Sequence, residues 1–156
     1  MLKLNDTSEQ SILNMLVEHK SITSKQLKQI ETLSNEGGKT KLETSFELNI
    51  TSPDKILSVL ADSYSLPKVE LKKIVITDKI KQLAALRYLR ENIIVPFEFT
   101  SEIIKVAIPD SSKLGLIKNI KNITQLEPEL YASSLTEIDN FYKRLENRLY
   151  QESLDR

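Results

Sequence analysis

The chain has 156 residues, with 22 Lys and Arg against 22 Asp and Glu, one histidine and no cysteine. That length suits one domain or two small subdomains and lets roughly 70% of the unfolded chain's surface be buried without disulfide or metal staples. The balanced charge removes the broad attraction on which nucleic-acid binders depend. The missing cysteine removes disulfides, thiolate metal sites and cysteine nucleophiles, and makes a reducing cytoplasm the expected location.

Residues 1–7 read as a flexible lead, with no basic region followed by an apolar run. Thr7 and Gln10 have the spacing of a capping box, and Ile12, Leu13, Leu16 and Val17 then recur at helical spacing to about His19. Thr23 with Gln26 caps a second helix, with Ile22 and Leu27 placed as a hydrophobic staple and Leu27, Ile30 and Leu33 as its buried face. Residues 35–39, containing Gly37 and Gly38, end that helix. Thr40 with Glu43 opens a third helix, and Ser52 caps a fourth with Pro53 at its first position, where a missing N–H costs nothing. Ile56, Leu57, Val59 and Leu60 form the core face of the fourth.

These four helices are one helix-turn-helix unit written twice at an offset of 29 residues, so that Leu13 falls on Leu42, Val17 on Phe46, Glu18 on Glu47, Leu27 on Ile56 and Ile30 on Val59. A two-helix unit cannot bury its apolar face alone, so the copies are expected to pack on each other.

The pattern changes at SYSLPKVEL, residues 63–71, where Pro67 disfavours helix at Leu66 and an extended connector follows. A helix is expected over residues 77–89, carrying Ile80, Leu83, Ala84, Leu86 and Tyr88. Two β-rich runs, 93–99 and 103–108, read as a hairpin, with Pro96 favouring an edge or a bulge in the first. Asp110 to Ser112 start a short helix with Leu114, Ile117 and Ile120, residues 126–132 form a third strand, and Ser134 with Glu137 caps a last helix whose Ile138, Phe141, Tyr142, Leu145 and Leu149 mark one face. The expectation is an α+β chain. A four-helix tandem-repeat subdomain spans 8–66, a small subdomain of hairpin, third strand and C-terminal helix spans 67–150, and the ends at 1–7 and 151–156 are flexible.

Sequence chemistry points away from an enzyme. Gly37, Gly38, Lys39 and Thr40 spell the end of a phosphate-binding loop, but the opening glycine of G-x-x-x-x-G-K-[ST] falls on Leu33 and a helix precedes it, so these residues read as turn punctuation. His19 is the only histidine, which excludes histidine-pair metal sites and leaves Ser63 and Ser65, Ser111 and Ser112, and Ser133 and Ser134 without a histidine base, so that they read as turns and caps. Glu43 and Glu47 share a helix face in the manner of a solvated helix. Phe97, Phe99 and the five tyrosines read as core rather than as stacking platforms. Residues 67–125 hold eleven Lys and Arg against six Asp and Glu, densest at Lys68, Lys72, Lys73, Lys79, Lys81, Arg87 and Arg90. That cluster reads as a solvated face, with a docking patch for an acidic partner as the alternative. No cofactor, metal or nucleic acid is expected, nor direct membrane insertion, since no stretch approaches the roughly 20 apolar residues of a spanning helix.

The paired helical units, then SYSLPKVEL, LRENIIVPFEF and IIKVAIPDSSKLGLIKNIKN, then a strand leading into a final helix, resemble the N-terminal domain of type II secretion and type IV pilus assembly ATPases, known as MshEN. The likeness runs over about residues 10–149, with SLPKVEL in place of the family's glycine-leucine-proline turn and AIPDSSKL resembling its alanine-x-proline/aspartate step before a helix. It implies a protein partner such as the cytoplasmic part of an inner-membrane secretion or pilus platform protein, or a motor ATPase on a separate polypeptide. It also implies a non-enzymatic adaptor or regulatory role in the cytoplasm, peripheral at the inner membrane through that partner.

Some members of the family bind cyclic di-GMP through two tandem motifs joined by a five-residue spacer, a register that fits residues 11–34, 35–39 and 40–63 here. Ser11 and Thr40 stand where those members have arginine, Leu13 and Leu42 where they have the first glycine, Lys20 and Asn49 the second glycine, and Ser34 and Ser63 the closing glutamine. Arginine supplies a planar charged fork and glycine permits close backbone approach; serine and leucine do neither. Cyclic di-GMP is therefore not the expected ligand. The alternative, a sensor with a degenerate site, rests on Lys20 and Asn49.

Overall fold

The structure, a computed structural model, describes residues 6–155. The first five residues of the expected lead lie outside the described residues, as does the side chain of Thr7 on which the first capping box rests. Helices α1 (Asp6–Glu18), α2 (Ser24–Gly37), α3 (Lys41–Glu47) and α4 (Pro53–Ser63) make up the doublet. A 3-10 turn at Leu71–Lys73 precedes α5 (Asp78–Ala84) and α6 (Arg87–Glu91). Strands β1 (Val95–Phe99) and β2 (Ile103–Ile108) follow, then a 3-10 stretch at Ser111–Leu116, α7 (Ile117–Thr124), β3 (Glu127–Ala132) and α8 (Leu135–Leu154). The chain is α+β, as its pattern implies.

Local chemistry sets the helix boundaries. The Thr23 and Gln26 side chains exchange hydrogen bonds with each other's backbone amides in a complete capping box. The side-chain oxygens of Thr40, Ser52 and Ser134 accept from the amides of Glu43, Lys55 and Glu137. Each such bond satisfies an amide that has no partner within the helix and is worth about 1 kcal/mol. The α2 helix runs through Gly37 and closes on Gly38 at φ 65°, a left-handed position that glycine adopts without penalty.

The sheet has the order β1-β2-β3, with β1 antiparallel and β3 parallel to β2. Alternation along β2 divides the interior. Ile104, Val106 and Ile108 face one core, shared with Ile12, Leu13, Leu16, Ile30, Leu42, Ile56 and Leu60 of the doublet. Ala107 faces the other, with Val95 and Phe97 of β1, Ile80 and Ala84 of α5, and Ile138, Phe141, Tyr142 and Leu145 of α8. The sheet is thus the middle layer of three. Pro96 lies on the edge strand, and the register shifts between Pro96 and Glu98, which makes Phe97 the extra residue of a bulge. Its ring meets Tyr131 edge-on at 5.1 Å. Beyond Pro67 the connector runs beside β3: the Pro67 carbonyl accepts from Ala132 N–H, and the Ala132 carbonyl from Val69 N–H.

The single helix expected over 77–89 is two. Leu86 is extended at φ −61°, ψ 125°, and separates α5 from α6. Ile80 and Ala84 belong to the α8 side of the sheet, whereas Leu83, Leu86 and Leu89 belong to the doublet side. The α5 helix thus already contributes to both cores, and the extended Leu86 starts a new helix that carries Leu89 into the doublet-side core.

The α8 helix is fastened at several points. Buried Tyr142 donates to the carbonyls of Ile94 and, at 3.4 Å, Leu89, and burial pushes its phenol well above the usual range. Arg144 donates to the Leu71 and Ile74 carbonyls at 2.8 and 3.1 Å. Toward the C-terminal end, Lys81 donates to both Glu152 oxygens at 2.8 and 2.6 Å, and that hydrogen bond, chiefly, lowers the Glu152 pKa. A carboxyl whose folded pKa lies below its unfolded value stabilises the fold above the unfolded value and loses that contribution as pH falls through the folded one. Thermal melts are therefore expected to show stability falling as pH drops below about 4.5. The Glu152→Gln variant should melt below the wild-type chain near neutrality, where the ion pair contributes, and converge with it in acid, which makes its acid-side slope shallower. An unchanged slope would show that the pair does not hold the end of α8.

Candidate functional site

Lys20 and Asn49, the residues that the tandem motif singles out, stand just past the ends of α1 and α3. The two copies close these helices in the same way. Lys20 N–H donates to Val17 O at 3.0 Å and Ser21 N–H to Leu16 O at 2.8 Å; 29 residues on, Asn49 N–H donates to Phe46 O at 3.1 Å and Ile50 N–H to Ser45 O at 3.0 Å. Lys20 and Asn49 have φ values of 60° and 57°, the left-handed region that favours glycine. Both side chains are exposed, and no hydrogen bond or ion pair joins them.

The other motif positions are built differently. Leu13 is 0% exposed and Leu42 is 2% exposed, both within the doublet core. Ser34 is buried and donates to the Lys39 carbonyl at 2.6 Å, Thr40 caps α3, Ser11 is half-buried, and Ser63 is exposed at the end of α4. Glu9, which the sequence reading passed over, is buried, and its Oε1 accepts from Leu42 N–H at 3.2 Å. Beside it the Lys41 ammonium donates to Gln10 Oε1 at 3.1 Å. The Leu42 amide is thus engaged within the chain. The signal for Glu9 was its position three and four residues before Ile12 and Leu13, on the same helical stripe.

Structural roles account for the remaining sequence candidates. In Gly37-Gly38-Lys39-Thr40, Gly38 closes α2, Lys39 pairs with Glu47 at 2.6 Å and Thr40 caps α3. His19 is exposed and lies edge-on to Tyr64, with Nε2 3.3 Å from its hydroxyl. Within the basic cluster, Lys73 pairs with Glu70, Lys81 with Glu152, Arg87 with Glu91 and Arg90 with Glu146. Among the described residues no group of three or more His, Cys, Asp or Glu could hold a metal ion, and no helix is long and apolar enough to cross a membrane.

The fold is that of an α+β domain in which a helical doublet covers one face of a small mixed sheet. The MshEN domain family model matches residues 64–152, and the chain belongs to that family. It is thereby related to the N-terminal domains of secretion and pilus ATPases. Its fold is similar to that in the structure of the N-terminal domain of XpsE, with TM-score 0.60 and 20% identity over 92% of this chain and 98% of that one. A second crystal form of the same domain gives TM-score 0.52 and 20% identity, over 92% of this chain and 99% of that one. The structure of MshE with cdg gives TM-score 0.60 and 18% identity, over 86% of this chain and 97% of that one. No curated protein matches the chain.

The left-handed positions give a direct test. A side chain there costs about 1–2 kcal/mol, of which glycine returns all but its larger unfolded-state entropy of about 0.5–1 kcal/mol. The Lys20→Gly variant should therefore be more stable by about 0.5–1 kcal/mol in urea unfolding. Asn49→Gly should change little, because asparagine tolerates this region better. A destabilised Lys20→Gly variant would mean that the lysine side chain makes contacts the helix end needs.

Proposed function

We propose that this chain is a non-enzymatic protein-interaction module, adaptor or regulatory, that docks on the cytoplasmic part of an inner-membrane platform protein of a secretion or pilus machine or on a separate motor ATPase. It would act in the cytoplasm, held at the inner membrane through its partner. The observation that carries this reading is the burial of Leu13 and Leu42 in the core at the two positions where nucleotide-binding relatives need glycine. The doublet then serves as a packed scaffold, with Leu42 N–H satisfied by Glu9. The division into residues 8–66 and 67–150 is, in this proposal, one of role rather than of independent folding, since the core on the doublet side draws on Ile104, Val106 and Ile108 of the sheet.

Pull-down of the purified chain with the cytoplasmic portions of platform proteins encoded beside it should recover a stoichiometric complex, and the chain alone should turn over no ATP above background. Robust hydrolysis by this chain, or no complex with any such platform or motor, would overturn the proposal.

One observation favours a second reading, that of a cyclic dinucleotide sensor. Both second-glycine positions keep the left-handed backbone, and a similar structure, that of MshE, is described with cdg, which we read as cyclic di-GMP. Isothermal titration with cyclic di-GMP separates the two. The docking reading expects no heat and no thermal shift, whereas micromolar binding lost in Lys20→Glu and Asn49→Glu variants would establish the sensor.

A further inference from the structure

A groove of about 590 Å³ opens between α5, the turn of the β1–β2 hairpin and the start of β3, away from the helix ends of the doublet. Its walls are the side chains of Leu83, Leu86, Phe99 and Leu126, and its size is that of a ligand or peptide pocket. No carboxylate lines it. The one charged group in the lining is Lys79, whose ammonium lies 5.3 Å from the centre of the Phe99 ring.

Lys73, Lys81, Arg87 and Arg90 each pair with a carboxylate within the chain, while Lys79, like Lys68 and Lys72, has no ion pair among the described residues, and of these three only Lys79 lines the groove. Of the acids near it in sequence or beside the groove, Asp78 is taken by Arg148 at 2.6 Å and Glu127 by Lys121 at 2.8 Å, while exposed Glu102 follows Ser101 in the hairpin turn and is not part of the lining. A cation over an aromatic face at the mouth of an apolar groove complements a carboxylate held close to an apolar side chain. An electroneutral or basic occupant would leave the ammonium unmatched.

We propose that this groove receives a segment of a partner protein in which one or two large aliphatic or aromatic side chains are flanked, within one helical turn, by Asp or Glu. The inference rests on the docking reading and gives it a surface: the apolar side chains fill the space between Leu83, Leu86, Phe99 and Leu126, and the carboxylate meets Lys79. Uncharged Gln82 and Ser101 on the rim leave the approach open.

The test is a selection of random twelve-residue peptides displayed on phage against the full chain, followed by fluorescence anisotropy of the recovered peptides. The Lys79→Glu and Ser101→Trp variants change exposed rim positions and are checked for unaltered melting. Recovered peptides should share a Leu, Ile, Phe or Met within four positions of an Asp or Glu. Each variant should weaken them about five- to tenfold, Lys79→Glu by turning attraction into repulsion and Ser101→Trp by filling the mouth. Three results would overturn the proposal: peptides without the acidic flank, affinities unchanged within twofold in both variants, or no recovered binder. A concentration-dependent dimer abolished by Ser101→Trp would overturn it too, because the exposed Tyr150 and Leu154 of a second copy would then be the occupant. The same variants in the platform pull-down keep the two readings apart. Undiminished capture by Lys79→Glu sinks the groove and leaves docking intact, whereas absence of any platform complex sinks docking and leaves the peptide result to stand alone.

Discussion

Strand β2 is the constraint on which the rest of the molecule depends. It is the central strand, paired on both sides, and both of its faces meet helices. Alternation along a strand sends Ile104, Val106 and Ile108 one way and Ala107 the other, so one six-residue strand serves two cores at once. Each fully buried aliphatic side chain contributes about 1.5–3 kcal/mol, and a shift of one residue would exchange the two sets. The helices are placed by the faces they cover: α8 lies on one, the doublet on the other, and α5 contributes Ile80 and Ala84 to the first core and Leu83 to the second.

The doublet repeats its backbone geometry at an offset of 29 residues. Both copies end their first helix with the same pair of hydrogen bonds and the same left-handed residue, which depends on backbone sterics and on apolar residues at Leu16, Val17 and Phe46 more than on the identity of Lys20 or Asn49. Leu13 and Leu42 are equivalent positions that both enter the core, and Glu9 accepts from the Leu42 amide within the chain. Membership of the MshEN family and the retained fold therefore coexist with a doublet whose interior is filled by its own side chains.

Local signals in the sequence located most of the elements. The Thr23, Thr40, Ser52 and Ser134 caps, Pro53 at the start of α4, the glycine closure of α2 and the edge-and-bulge placement of Pro96 all depend on residues within a few positions of one another. Such short-range chemistry is legible without knowing the fold. Lys20 and Asn49 were also visible as equivalent positions, because the repeat itself supplied the alignment. The direction of β3 relative to β2, the split of the 77–89 helix and the internal use of Glu9 were not visible. Each is settled by partners tens of residues away along the chain.

The basic cluster marks that division most clearly. Residue types and spacing alone establish that seven cations lie between residues 68 and 90, that no disulfide or thiolate metal site is available, and that two helical units repeat. These properties belong to residue types and spacing. Only the tertiary structure decided that α8 brings Glu146 and Glu152 to Arg90 and Lys81, while Lys79 is left facing Phe99 over an apolar groove. Charge at a surface is a property of who stands opposite whom, and the acids opposite Lys81 and Arg90 lie 71 and 56 positions further along the chain.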